Sequence, residues 1–242
     1  MATVIVEGAP TRARAARSKF YVGVALLITV IVFTGFSRSF YGTVVAGVAH
    51  PWIIHVHAAV YVGWLALLIT QSVLAARGQI ALHRRVGAFG IGYAVLVFVL
   101  GLIVSVAVPV IHVRAGDWPM ARAEQFLPVP LGDMVLFGGF FGAAIAYRRQ
   151  PEIHKRLILL AAVAIMFAAV GRLWFVDSIP VRLAVWYTPV LVAMAYDLFT
   201  RRRIHPVYWM GAAAMGVAFL RIPLGRTEWW HGVARAVYAP FL

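Results

Sequence analysis

Five ionisable side chains lie within or at the ends of long apolar runs: His57, Asp133, Arg172, Asp177 and Arg221. Ionisable groups in hydrocarbon are costly and face either a partner or a cavity. Counted along helices at about 1.5 Å per residue, all five fall within roughly 8 Å of the same membrane boundary. Trp186 and Tyr187 lie near that level. A shared depth allows convergence. An Arg172–Asp133 pair would lower the cost of burying either charge, and His57 would hydrogen-bond to Asp133 or line a wet cavity. The candidate ligand-binding set is therefore His57, Asp133, Arg172, Trp186 and Tyr187. In that reading Arg172 attracts an anionic headgroup or solute, for binding or transport. The same residues also suit a structural clamp between helices, or side chains snorkelling to the interface. His57 and Asp133 as a base and its orienting partner would make an enzyme. No substrate follows from the sequence, so that class stays open.

Histidines form a second candidate set. His83, His154 and His205 each stand at the start of an apolar run, next to Arg, Lys or Pro. Haem b in a membrane bundle needs two imidazoles from different helices at one depth. His83 and His154 meet that rule, and the neighbouring Arg84, Arg85 and Lys155 suit propionates. The competing reading is that helix-start histidines simply sit at the interface. One face of the second run carries His57, Tyr61, Trp64, Leu68 and Gln71 in steps of four and three, so it looks into a bundle. Asp197 stands four residues before Arg201, a spacing that suits a local ion pair.

Other chemistries are excluded. There are no cysteines, which removes disulfides, iron–sulfur clusters and thiol nucleophiles. No metal-ligand set stands out. A retinal Schiff base needs a lysine in mid-membrane, and Lys19 and Lys155 are at run edges. No Walker loop, serine elbow or nucleotide fingerprint occurs.

These side chains must be positioned by membrane helices. The 242 residues are 63% hydrophobic and 12% charged, against about 45–50% and about 25% in soluble domains. Apolar runs of roughly 20 residues recur. They predict an all-α, polytopic bundle of seven spans near 19–38, 52–76, 86–111, 128–147, 156–177, 181–200 and 207–224. The domain reading is a basic segment 1–18, a transmembrane domain 19–224 and an interfacial tail 225–242. The longest stretch between spans is a polar loop, His112 to Phe126. Gly35-Phe-Ser-Arg-Ser-Phe-Tyr41 is a poor cleavage site, so the first helix is read as uncleaved. Small residues Ala161, Ala164, Ala168 and Gly171 allow close helix approach.

The net charge of +14 would suggest nucleic acid in a soluble protein. Here the bases lie in short turns, so anionic lipid and topology explain them and no nucleic-acid partner is expected. With the N-terminus in the cytoplasm, fourteen cations lie at inner segments and seven at outer ones. The inner turns also repeat. Leu82-His83-Arg84-Arg85-Val86 parallels Ile153-His154-Lys155-Arg156-Leu157, and Arg203-Ile204-His205-Pro206-Val207 is a weaker third copy. One helix plus three hairpins describes the chain, either by duplication or by convergence.

A His that starts a helix and is followed by Arg and Gly, in the 55–110 region, resembles transmembrane two-haem b-type cytochromes. That resemblance implies haem b. His57, Trp64, Gln71, Leu82-His83-Arg84-Arg85, Asp133 and His154-Lys155-Arg156-Leu157 also resemble a group of uncharacterised bacterial seven-helix inner-membrane proteins, over about Gly35 to Arg172. This implies a helical protein of the bacterial inner membrane and carries no activity. Protein partners and a structural role in a membrane complex remain open.

Overall fold

A computed structural model describes residues 12–242, with side chains from Lys19 onward. Residues 1–11 of the expected basic segment lie outside the described residues. Every element among the described residues is helical. In order they are α1 (Arg12–Phe36), a π-turn (Ser37–Tyr41), α2 (Gly42–Val45), α3 (Trp52–Ala76), α4 (Ile80–Arg114) and α5 (Met120–Phe126). There follow α6 (Pro128–Ala146), α7 (Pro151–Val170), α8 (Ile179–Arg201), α9 (Pro206–Ala218), α10 (Arg221–Leu224) and α11 (Glu228–Tyr238), with a last 3-10 turn at Ala239–Phe241. Seven helices are long and apolar enough to cross a membrane. The chain is a multi-pass membrane protein in contact with lipid.

Local chemistry sets the helix limits. Proline occupies the first turn of α6, α7, α8 and α9, where its missing N–H has no intrahelical partner to lose. The α3–α4 turn passes through Gly78 at φ +72°, a left-handed conformation that glycine adopts without Cβ strain. The hairpin turns α3–α4, α6–α7 and α8–α9 share one face with the start of α1; this is the arginine-rich face.

α7 is the centre of the bundle and packs against α1, α6, α8 and α9. Leu160, Ala161, Val163 and Ala164 are wholly buried. The small residues permit close contact: a Cβ on Gly35 of α1 would strike the Ala169 carbonyl oxygen. The α3 stripe faces inward as expected, with Trp64 and Leu68 buried. The Trp64 ring lies edge-on to Phe137 and Phe141.

Two expectations need correction, and a third gains a detail. The fifth span ends at Val170, not near 177, because the chain leaves helix at Gly171; Arg172 and Asp177 stand beyond its end. The supposed loop His112 to Phe126 contains a helix, α5, whose Glu124 is buried. The seventh span runs over Pro206–Leu224 as expected, with a break between α9 and α10. Pro223 has no N–H to give the Phe219 carbonyl four residues back, which accepts from the Ile222 N–H instead.

Candidate functional site

The sequence-predicted outer cluster sits on the face opposite the arginine-rich one. Asp133 projects from the second turn of α6 and is 3% exposed. Its partner is not Arg172. Arg221, the first residue of α10, donates from Nη2 to Asp133 Oδ1 at 2.5 Å. The break at Phe219–Leu220 brings Arg221 there, and Gly132 makes room, since a Cβ on it would strike Arg221 Cδ. Arg172 instead donates from Nη1 to the Ala168 carbonyl at 2.7 Å, the last turn of its own helix. Its guanidinium lies 5.0 Å from the Phe36 ring. It stays within electrostatic reach of both His57 and Asp133.

His57 does not hydrogen-bond to Asp133. Its ring lies 4.1 Å from that of Tyr61, and its Nδ1 is buried without a partner. The Tyr61 hydroxyl donates to the Val97 carbonyl at 3.2 Å. Trp186 is wholly buried, and its Nε1 donates to the Val163 carbonyl at 2.8 Å. The Tyr187 hydroxyl donates to the Ala212 carbonyl at 2.9 Å. These last two residues therefore brace α8 on α7 and α9.

Arg221 is the residue that was missed as a partner. Its guanidinium lies 4.9 Å from the Phe167 ring and 5.7 Å from the Trp186 ring. Nε and Nη1 are buried and donate to no hydrogen-bond partner among the described residues. Beside it runs an open-sided groove of about 570 Å³, lined by Val135 and Leu136 of α6, Val217 and Leu220, and Arg221 itself. The pair with Asp133 leaves this spot close to neutral.

The helix-start histidines behave as a repeated structural device. His83 donates from Nδ1 to the Gln71 carbonyl at 3.3 Å, tying α4 to the end of α3. His154 donates from Nδ1 to the Ala144 carbonyl at 2.8 Å, tying α7 to the end of α6. A carbonyl only accepts, so each Nδ1 carries the proton and each neutral ring keeps a lone pair on Nε2. The two rings lie within electrostatic reach of one another. Near them the Gln71 Oε1 is buried without a partner. His205 works differently: its Nδ1 accepts from the Val207 N–H and caps α9.

The arginine-rich face holds a charge network in which the expected Asp197–Arg201 pair is present as one of several contacts. Asp197 pairs mainly with Arg156, with Nε to Oδ2 at 3.0 Å and Nη2 to Oδ1 at 2.5 Å. Arg201 is a weaker partner of Asp197, at 3.5 Å, and bonds Glu152 more closely. Glu152 also takes Lys155 at 2.9 Å and Arg156 at 2.8 Å. The available signal was that Arg156 and Asp197 both lie near the same end of the bundle, at the start of the fifth run and near the end of the sixth. Among the described residues no group of three or more His, Asp or Glu is placed to hold a metal ion.

No protein-family model matches this chain, no curated protein matches it, and no solved structure matches its fold.

Proposed function

We propose that this multi-pass membrane protein binds a lipid-like molecule in the groove between α6 and the α9–α10 break, with Arg221 donating to an acceptor group on it. One observation carries the reading: Arg221 Nε and Nη1 are buried without partners beside an apolar groove. An unpaired buried donor costs about 1–3 kcal/mol, more when charged, so an acceptor in the groove that the Arg221 side chain meets by turning toward it is favoured. Asp133 already neutralises the guanidinium, which favours a neutral acceptor such as an ester or ketone oxygen over a free anion. Arg221 stands three residues from the end of its span, about 5 Å below it, a depth that lipid ester carbonyls reach. In this proposal the arginine-rich face looks into the cytoplasm of a bacterial inner membrane.

The test is mass spectrometry of organic extracts from the purified protein. Val217 lines the groove and is 67% exposed, so Val217→Trp fills the groove without disturbing the core. One amphiphile retained by the wild type and lost from Val217→Trp is the expected result. Equal retention by the two proteins counts against the groove.

A second reading is haem b held by His83 and His154. Its support is the pair of free Nε2 lone pairs on imidazoles fixed through Nδ1, the arrangement that presents a histidine to a metal. Bound haem would supply one-electron transfer. Arg84 and Arg85 would hold the propionates, Lys155 being taken by Glu152, and the two carbonyls would fix the ring orientation. A Soret band in protein expressed with haem supply, lost in His154→Ala, is expected. Its absence from the wild type removes the reading.

A further inference from the structure

We propose that the α8–α9 turn, on the arginine-rich face, binds the phosphate of an anionic phospholipid. A cavity of about 240 Å³ opens there, lined by Arg201, Arg203, Ile204, His205 and Pro206. It is independent of the Arg221 groove, which lies at the opposite membrane face.

Three features define the ligand chemistry. First, the local charge is unbalanced. Glu152 and Asp197 are both occupied by Lys155, Arg156 and Arg201. Arg202 and Arg203 add two cations, and Arg203 has no carboxylate partner among the described residues. An anion is the missing member. Second, His205 presents a donor. Its Nδ1 accepts from the Val207 N–H, so in the neutral ring the proton sits on Nε2. The His205 backbone N–H is itself held by Asp197 Oδ2 at 3.3 Å, which fixes the turn against the buried network. Guanidinium forks and an N–H donor together suit phosphate oxygens. Third, the flanks are apolar and exposed: Phe199 on α8 at 77%, and Trp209 and Met210 on α9 at 58% and 71%. A phosphate in the cavity with acyl chains along these side chains satisfies both halves, whereas a soluble phosphate would use only the first. Basic pockets between membrane helices bind anionic headgroups in this way.

The experiment measures thermal unfolding of the full chain in nanodiscs of phosphatidylcholine, with or without phosphatidylglycerol. Arg203 is exposed, so Arg203→Gln leaves the buried network intact. Arg226→Gln, at the opposite face, controls for general charge. Phosphatidylglycerol should raise the Tm of the wild type and of Arg226→Gln alike, and the rise should fall by at least half in Arg203→Gln. The proposal is overturned by an equal rise in Arg203→Gln, by no preference for phosphatidylglycerol, or by an equal loss in Arg226→Gln. Millimolar inorganic phosphate in phosphatidylcholine should give little rise; a full rise there overturns the lipid assignment.

Discussion

The Arg156 guanidinium and the Asp197 carboxylate meet in a two-pronged contact across α7 and α8, with neither side chain exposed beyond 1%. Arg156 also lies 5.4 Å from the ring of Tyr208 on α9. The Tyr208 hydroxyl is 3.3 Å from that of Tyr21 on α1. One ion pair thus anchors four helices at the arginine-rich end of the bundle. Removing one partner of such a buried pair costs about 3–5 kcal/mol, whereas replacing both with apolar groups is often neutral. Asp197→Leu alone should therefore lower stability strongly in detergent unfolding, and the Arg156→Met/Asp197→Leu double variant should recover most of it. A double variant as unstable as Asp197→Leu would mean that the charges themselves, not their pairing, hold the helices.

The α1–α7 contact predicts a sharp difference between two glycines of one helix. A Cβ at Gly35 meets the backbone of Ala169, which has no rotamer to yield, while a Cβ at Gly23 meets nothing within 4 Å. Overpacking costs about 1–3 kcal/mol, and alanine in place of an exposed helical glycine gains up to about 1 kcal/mol. Gly35→Ala should lower the unfolding midpoint, and Gly23→Ala should hold or raise it. A common response from the two variants would contradict the close approach of α1 and α7.

The seven spans were legible because a run of 20 apolar residues answers to one physical demand, the thickness of hydrocarbon. Pairing inside the bundle was not. Counting rise per residue placed Asp133, Arg172 and Arg221 at one level, but depth carries no information on which way around the bundle each side chain points. Asp133 took Arg221, and not Arg172, because Pro223 breaks the seventh span and Gly132 clears the space. Asp197 was legible in part, since its expected pair with Arg201 is present at 3.5 Å. Its four-residue spacing to Arg201 is visible in the chain, whereas its contact with Arg156 spans 41 residues. The parallel between His83 and His154 was legible as a repeat, and both bond a carbonyl of the preceding helix.

His205 gives the chain one acid-sensitive cap. Its Nδ1 must be unprotonated to accept from Val207. Partial burial, and then the Arg156 charge, hold its pKa below the ordinary 6.5. The unfolded chain therefore takes the proton more readily than the folded one. This contribution to stability is complete above pH 6.5 and is lost progressively as pH falls below it. A cap is worth about 1 kcal/mol. Asparagine caps without titrating, so His205→Asn should lose less Tm than the wild type between pH 7.5 and pH 5. Parallel losses in the two proteins would remove His205 as the source.

The last helix, α11, lies against α5 through contacts of unequal worth. Arg235 Nε donates to Glu124 Oε1 at 2.6 Å, yet the Arg235 side chain is 62% exposed, so solvent screens its end of the pair. The buried contacts carry more. The Tyr238 hydroxyl donates to the Ala123 carbonyl at 3.0 Å from a side chain 1% exposed, and Trp230 Nε1 donates to the Glu124 carbonyl at 2.9 Å. Truncating a buried aromatic side chain costs about 3–5 kcal/mol. Limited trypsin digestion reads the difference, because cleavage at the exposed Arg226 reports release of the segment. Tyr238→Ala should accelerate that cut strongly and Glu124→Gln only slightly. The reverse order would show that the ion pair, and not the aromatic packing, holds α11 in place.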